Sequence, residues 1–214
     1  YYKVFHHCLN SAVIDEIITS NPMDKIKNEE KPKRRRTERA FLTINELKIL
    51  SQTDFHNATL KKAFLFSCFC GLRHSDIVAL TWGNLKKGKV GKMELHMTQQ
   101  KTQEILSLPL SKEALKQLPV RGKVPDTEKV FKGLISLGRT NEILPKWAAK
   151  AGIQKHITFH SARHTHATMM ITLGADLYTV SKLLGHTNIQ TTQIYAKIVD
   201  ESKEKAIDLI PDIT

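Results

Sequence analysis

Val4, Phe5, Leu9, Val13 and Ile17 recur at helical spacing along the first twenty positions, and the pattern starts abruptly with no capping residue before it. It predicts a helix belonging to a domain truncated at its start, stopped by Asn21-Pro22. A charged stretch of linker composition follows, and compact signals resume near residue 40. In FLTINELKIL, Thr43 and Glu46 form a capping box for one helix, and Asn57 opens another that ends near Gly71. Between Thr81 and Leu110 the pattern changes to short runs divided by Gly-Lys turns: one around Leu85, then MELHMTQ and EILSLPL, the last two partly alternating. This predicts a small antiparallel sheet. Helical signals return at SKEALKQL, at TNEILPKWAAKAG, and in three segments beginning near His160, Asp176 and Asn188, two of them ended by Gly174 and Gly185. With no internal repeat, the expected class is mainly α with a small antiparallel β-sheet (α+β).

Composition narrows the class. A chain of 214 residues can bury one good core or two small ones. No run approaches the roughly 20 apolar residues of a membrane helix, and residues 1–15 lack the layout of a signal peptide, so a cytoplasmic protein of the bacterial cytosol or nucleoid, with no membrane partner, is expected. Cys8, Cys68 and Cys70 make an odd count without the second pair a structural zinc site requires, and all three are expected to be buried thiols. Lys and Arg number 33 against 21 Asp and Glu, a net charge of +12 that favours a polyanion such as nucleic acid. Residues 25–39 hold eight basic and three acidic side chains, leaving +7 for the rest. Lys33, Arg34, Arg35 and Arg36 read either as a solvated linker or localisation signal, or as a linker laid along a phosphate backbone, where each contact displaces counterions.

Three side chains carry the candidate chemistry. His160, Arg163 and His164 stand at i, i+3 and i+4 and share one face if the segment is helical. A zinc-protease helix would place Glu directly after the first His; here Ser161 and Ala162 follow, and Arg163 would repel a cation, so no metal is expected. Histidines at such places are usually capping or core residues, and His166 and His96 are read that way. Arg163 is harder to place, because a guanidinium on a face with Ala167 and Met170 calls for a carboxylate or phosphate.

The whole segment HSARHTHATMMITLGADLYTVSKLLGHTNIQTTQIY resembles the C-terminal signature of the tyrosine recombinases, the phage-lambda-type integrase family. That signature is H-x-x-R-H, then L-G-H, then Tyr nine residues beyond the last His; His160, Arg163, His186 and Tyr195 stand at those positions. Upstream, GLRHSDIVAL with Arg73 and QQKTQE with Lys101 resemble the family's first arginine motif and its hairpin lysine. The likeness covers roughly residues 40–200, with Ala162 where Leu is commoner and His166 where an aromatic is commoner. The resemblance implies four parts: 1–22, the last helix of a truncated core-binding domain; 23–39, a basic linker; 40–200, the catalytic domain; and 201–214, a tail that either covers its own domain or is exchanged between protomers.

It also implies roles. Tyr195 would attack the scissile phosphate and hold the DNA as a phosphotyrosyl ester, with Tyr178 packing on a neighbour instead. Arg73 and Arg163 would clamp the nonbridging oxygens, His186 would add a hydrogen bond to them, and His160 would accept the tyrosine proton. Lys101 would protonate the departing 5′ oxygen, and Asp76 would orient Arg73 through an ion pair. No cofactor, ATP or obligatory metal is implied. The implied partners are double-stranded DNA, three further copies of the chain in a tetramer on paired DNA sites, and an accessory DNA-bending protein. A non-catalytic DNA-binding module of the same fold and a type IB topoisomerase are the alternatives.

Overall fold

The computed structural model describes residues 1–32, 39–88 and 91–195. Lys33, Arg34, Arg35 and Arg36, and the tail 201–214, lie outside the described residues. The chain divides into two compact units, Tyr1–Glu38 and Arg39–Thr214.

In the first unit helix α1 spans Tyr2–Ile14 and ends sooner than its apolar pattern, because Glu16 turns the chain at φ +56. Asn21 does not stop that helix; it caps a separate 3-10 turn, Pro22–Lys25, its side chain accepting from the Met23 N–H. No residue of α1 is buried, and Cys8 is exposed, contrary to the expectation of a buried thiol.

The second unit is helical around one sheet. Helix α2 (Ile44–Gln52) starts at the expected Thr43–Glu46 capping box, and α3 (Ala58–Cys70) starts at Asn57, whose side chain accepts from Leu60 N. Short α4 (His74–Ala79) leads to an antiparallel sheet of β1 (Leu85–Lys87), β2 (Met93–Thr98) and β3 (Ile105–Pro109) in that order. Leu95 opposes Leu108 and Met97 opposes Leu106, so alternation places all four on the buried face. Helices α5 (Lys112–Lys116), α6 (Leu137–Lys150), α7 (Phe159–Thr172) and α8 (Leu177–Leu184) complete the described part.

The main core lies around α3, which packs on α7 and α5. Phe64 meets Trp147 and Phe159 edge to face at centroid distances of 6.0 and 5.9 Å, joining α3, α6 and α7. Cys68 and Cys70 are buried there, and burial raises both thiols, Cys70 to about 12. A second, smaller core of Ala167, Ile171, Val180, Leu184 and Tyr195 joins α7 to α8. Two sequence expectations fail here. Among the described residues Tyr178 on α8 is 60% exposed, with the Lys182 ammonium over its ring, instead of being packed into the core. The segment opened by Asn188 forms two 3-10 turns, Ile189–Thr191 and Gln193–Tyr195, because Asn188 caps Gln190 and the turn closes at once.

Candidate active site

The site is assembled from four short pieces that leave helices or strands at sharp turns. Gly71, at φ +73, ends α3 and lets the chain reverse into Arg73, the residue that caps α4. Asp76 is fully buried one turn on. Its two carboxylate oxygens accept from the backbone N–H of Arg73 (3.3 Å) and of Gln100 (2.8 Å), tying α4 to the β2–β3 hairpin. The expected ion pair is loose at 3.9 Å; the Arg73 guanidinium donates instead to Gln99 Oε1 at 3.0 Å.

Helix α7 supplies the second piece. Four consecutive buried polar side chains, Arg163 to His166, go right round the helix, which explains its weak hydrophobic patterning. Arg163 is 3% exposed. Its partners are not carboxylates: its two terminal nitrogens donate to the carbonyls of Gly71 (2.8 Å) and Leu184 (2.6 Å). Both acceptors are carbonyls at helix ends, where the backbone dipoles leave partial negative charge. Burial, and then the like charge of Arg73, lower Arg163 to about 10, still cationic at neutral pH.

Gly185, at φ +62, ends α8 and turns the chain into His186, whose Nδ1 lies 2.8 Å from Thr192 Oγ1. Beyond it the 3-10 turn Gln193–Tyr195 sends the Tyr195 ring into the small core, where it is 6% exposed. The partner of its hydroxyl is His164 Nδ1 at 2.5 Å. His160, the base implied by the resemblance, stands one turn earlier on α7, its ring edge-on to His164 at 4.6 Å, and its outer side is open to solvent. Lys101 is exposed at the tip of the β2–β3 turn.

These side chains act on one another electrically. His160 and His186 are both lowered to about 4, first by desolvation and then by cations, Arg163, Arg39, Arg73 and Lys101 for His160 and Arg163 and Arg73 foremost for His186. His164 is lowered to about 3 by burial, then by His160, Arg39 and Arg163. Burial raises Tyr195 to about 12 against the pull of Arg163 and Arg39. At neutral pH Arg163 is therefore cationic while the imidazoles of His160, His164 and His186 and the Tyr195 phenol are neutral. Asp76 acts on both Arg73 and Arg163. Entry of an anion beside these cations would raise the imidazoles toward protonation. Among the described residues no group of His, Cys, Asp or Glu is placed to hold a metal.

The Phage integrase family model matches residues 40–202. The chain belongs to the phage integrase family. A tyrosine recombinase of Pseudothermotoga lettingae is 30% identical over 93% of this chain and 69% of its own length. A tyrosine recombinase XerC of Caldanaerobacter subterraneus is 30% identical over 92% of this chain and 57% of its own. Among solved structures, a lambda integrase dimer bound to a COC′ core site superposes with TM-score 0.68 at 20% identity, over 90% of this chain and 70% of that one. The Tn1549 transposon integrase in complex with circular intermediate DNA gives 0.65 at 18%, over 89% and 71%. The integrase fold and the mainly α class with its small sheet are thereby shown.

Of the residues singled out in the sequence, Arg73, Arg163, His160, His186 and Tyr195 converge, with Lys101 close enough to act on His160. Three participants had no assigned role: His164, Gln99 and Arg39. For His164 the signal was its spacing of four from His160. Arg39 closes the basic stretch, and its charge reaches His160, His164, His186 and Tyr195.

Proposed function

We propose that this integrase-family chain cuts and rejoins double-stranded DNA through Tyr195. The observation that carries the reading is a pair of guanidiniums, Arg73 and Arg163, held near enough to repel, one of them buried on carbonyls. Fixing two cations side by side is unfavourable unless an anion completes the site, and a scissile phosphate supplies two nonbridging oxygens for bidentate donors. The phenolic oxygen bonds to phosphorus as the bond to the 5′ oxygen breaks, leaving a 3′ phosphotyrosyl ester and a 5′ hydroxyl. Attack by a 5′ hydroxyl of a second strand reverses both changes, so the bond energy is kept and no ATP is needed.

Arg73 and Arg163 stabilise charge on the nonbridging oxygens, His186 donates to them, and Lys101 protonates the departing oxygen. His160 and His164 are the two imidazoles able to take the phenol's proton, and His164 already touches it. Tyr195 begins inside the small core, so reaching DNA requires it to leave that pocket. The partners in this reading are duplex DNA, Lys33 to Arg36 along its backbone, further copies of the chain in a tetramer on paired sites, and an accessory DNA-bending protein. The parts of the chain are those set out from the sequence, with 40–200 as catalytic domain.

The test uses this chain and its Tyr195→Phe variant on supercoiled plasmid and on attachment-site DNA in EDTA, quenched with detergent. Covalent adducts that form without metal and vanish in the variant support the reading. DNA binding with no adduct on either substrate points to a non-catalytic module. Adducts with relaxation but no strand exchange between sites point to a type IB topoisomerase.

A further inference from the structure

The β2–β3 hairpin carries a second side chain that the proposed chemistry has not used. Gln99 sits two residues before Lys101 and is completely buried. Its Oε1 accepts from the Arg73 guanidinium at 3.0 Å and from Thr102 Oγ1 at 2.8 Å. Its Nε2 donates to the Leu184 carbonyl at 3.2 Å, the same oxygen that receives Arg163 Nη2 at 2.6 Å. One amide thus links both arginines through an unbroken chain: Arg73, Gln99, Leu184, Arg163. Its backbone is held as well, donating to Glu104 O and accepting from Gln103 N, both at 2.9 Å. The approach to α8 is so close that a Cβ on Gly185 would stand 2.8 Å from Nε2.

An amide is the group this position requires. It must accept from a cation on one side and donate to a carbonyl on the other, which a carboxylate cannot do and a hydroxyl is too short to do. Because the amide is uncharged, it fixes Arg73 without neutralising it, leaving the guanidinium's charge and remaining N–H groups for a ligand. Asp76, by contrast, spends both oxygens on backbone N–H groups.

We infer that Gln99 is a positioning residue that sets the Arg73 guanidinium against that of Arg163 and locks this pair to the turn that delivers His186. The inference rests on the reading of the site as a phosphodiester clamp. Gln99 touches no reacting atom; it acts through the arginines.

Gln99→Met keeps the length and removes all three side-chain hydrogen bonds. DNA affinity should change by less than about threefold, while single-turnover cleavage of bound DNA falls about 10- to 100-fold, the scale of a misplaced transition-state donor. In an Arg73→Ala background the same substitution should add no further loss. On DNA whose scissile phosphate is a neutral methylphosphonate, the transition state carries one negative charge fewer for the pair to stabilise and the deficit should shrink to within about threefold of the parent. A merely structural role predicts the opposite on all three readouts: weaker DNA binding, additive loss and a deficit indifferent to phosphate charge, and any of these overturns the inference. Gln99→Glu guards against a Met variant that does not fold; its carboxylate pairs with Arg73, so parental cleavage by this variant would also overturn it. Failure of the recombinase reading is separable. If the parent makes no adduct, the arginine Nε–H NMR signals, assigned with Arg73→Lys and Arg163→Lys, still decide. Both should shift in Gln99→Met, and an unmoved Arg73 signal ends the proposal.

Discussion

The hydroxyl of Tyr195 lies 2.5 Å from Nδ1 of His164, inside the small core between α7 and α8. A neutral imidazole has one N–H, and Nε2 of His164 is buried without a partner among the described residues, so within them one of its two nitrogens is unsatisfied whichever tautomer forms. The pair is therefore a holding arrangement for the phenol more than a fully satisfied network.

The first prediction concerns that phenol. Burial raises Tyr195 to about 12, so in the absence of DNA essentially none of it is phenolate at neutral pH. In an alkaline absorbance titration, the step lost in Tyr195→Phe should be the one centred near 12. A lost step centred near 10 would mean the ring is not held in this core. His164→Ala leaves the hydroxyl buried and unpaired and should lower unfolding free energy by about 1–3 kcal/mol, read as a reduced denaturant midpoint.

Arg163 offers a sharper test, because its two bonds run to carbonyls on different helix ends. A lysine in its place keeps the charge but presents a point ammonium that cannot span Gly71 and Leu184 in a fork. Arg163→Lys is expected to cleave about 10²- to 10³-fold more slowly and to lose stability. Arg73→Ala, at a more exposed site, should lose a similar factor in rate with a smaller effect on folding. Cleavage near the parental rate in either variant would remove that arginine from the site.

Gly71 links the two effects in one position. Its φ of +73 disfavours any L side chain, and a Cβ would stand 2.8 Å from Leu184 Cδ2 and 2.9 Å from His166 Cδ2. Since its carbonyl also anchors Arg163, Gly71→Ala should reduce stability by about 1–3 kcal/mol and slow cleavage together. Thermal unfolding and single-turnover cleavage measured on the same preparation check this; loss of one without the other would separate the turn from the clamp.

The legible parts of this fold are those whose cause is local. The Thr43–Glu46 box, the Asn57 cap and the alternation of Leu95, Met97, Leu106 and Leu108 each depend on residues a few positions apart, and each is where its pattern puts it. The spacing of His160, Arg163, His186 and Tyr195 could be read because a family signature encodes it, although physical reasoning alone reached only as far as Arg163 needing a partner. Its true partners are backbone carbonyls, which no side-chain pattern announces. Gln99 with Leu184 and His164 with Tyr195 are 85 and 31 residues apart, so they exist only through folding. Tyr178 was misjudged because helical position alone does not tell which face of α8 meets the core.

His166 carries the last prediction. It is 4% exposed, and among the described residues neither ring nitrogen has a hydrogen-bond partner. Burial lowers it to about 4, with the Arg163 charge adding to the effect; the Cys68 backbone pulls the other way without making a bond of good geometry. The sign follows from which state binds the proton. Between about pH 6.5 and 4 the unfolded chain takes up a proton that the folded one refuses, so stability falls as pH drops through that window and is higher above it. The depression corresponds to roughly 3 kcal/mol at full effect, to which the lowered His164 adds in the same direction. His166→Phe has no proton to take up, and urea unfolding at several pH values should show a shallower decline than the parent between pH 6.5 and 4. Parallel profiles for the two proteins would mean that His166 opens to water in the native state, and with it the seam between α3 and α7.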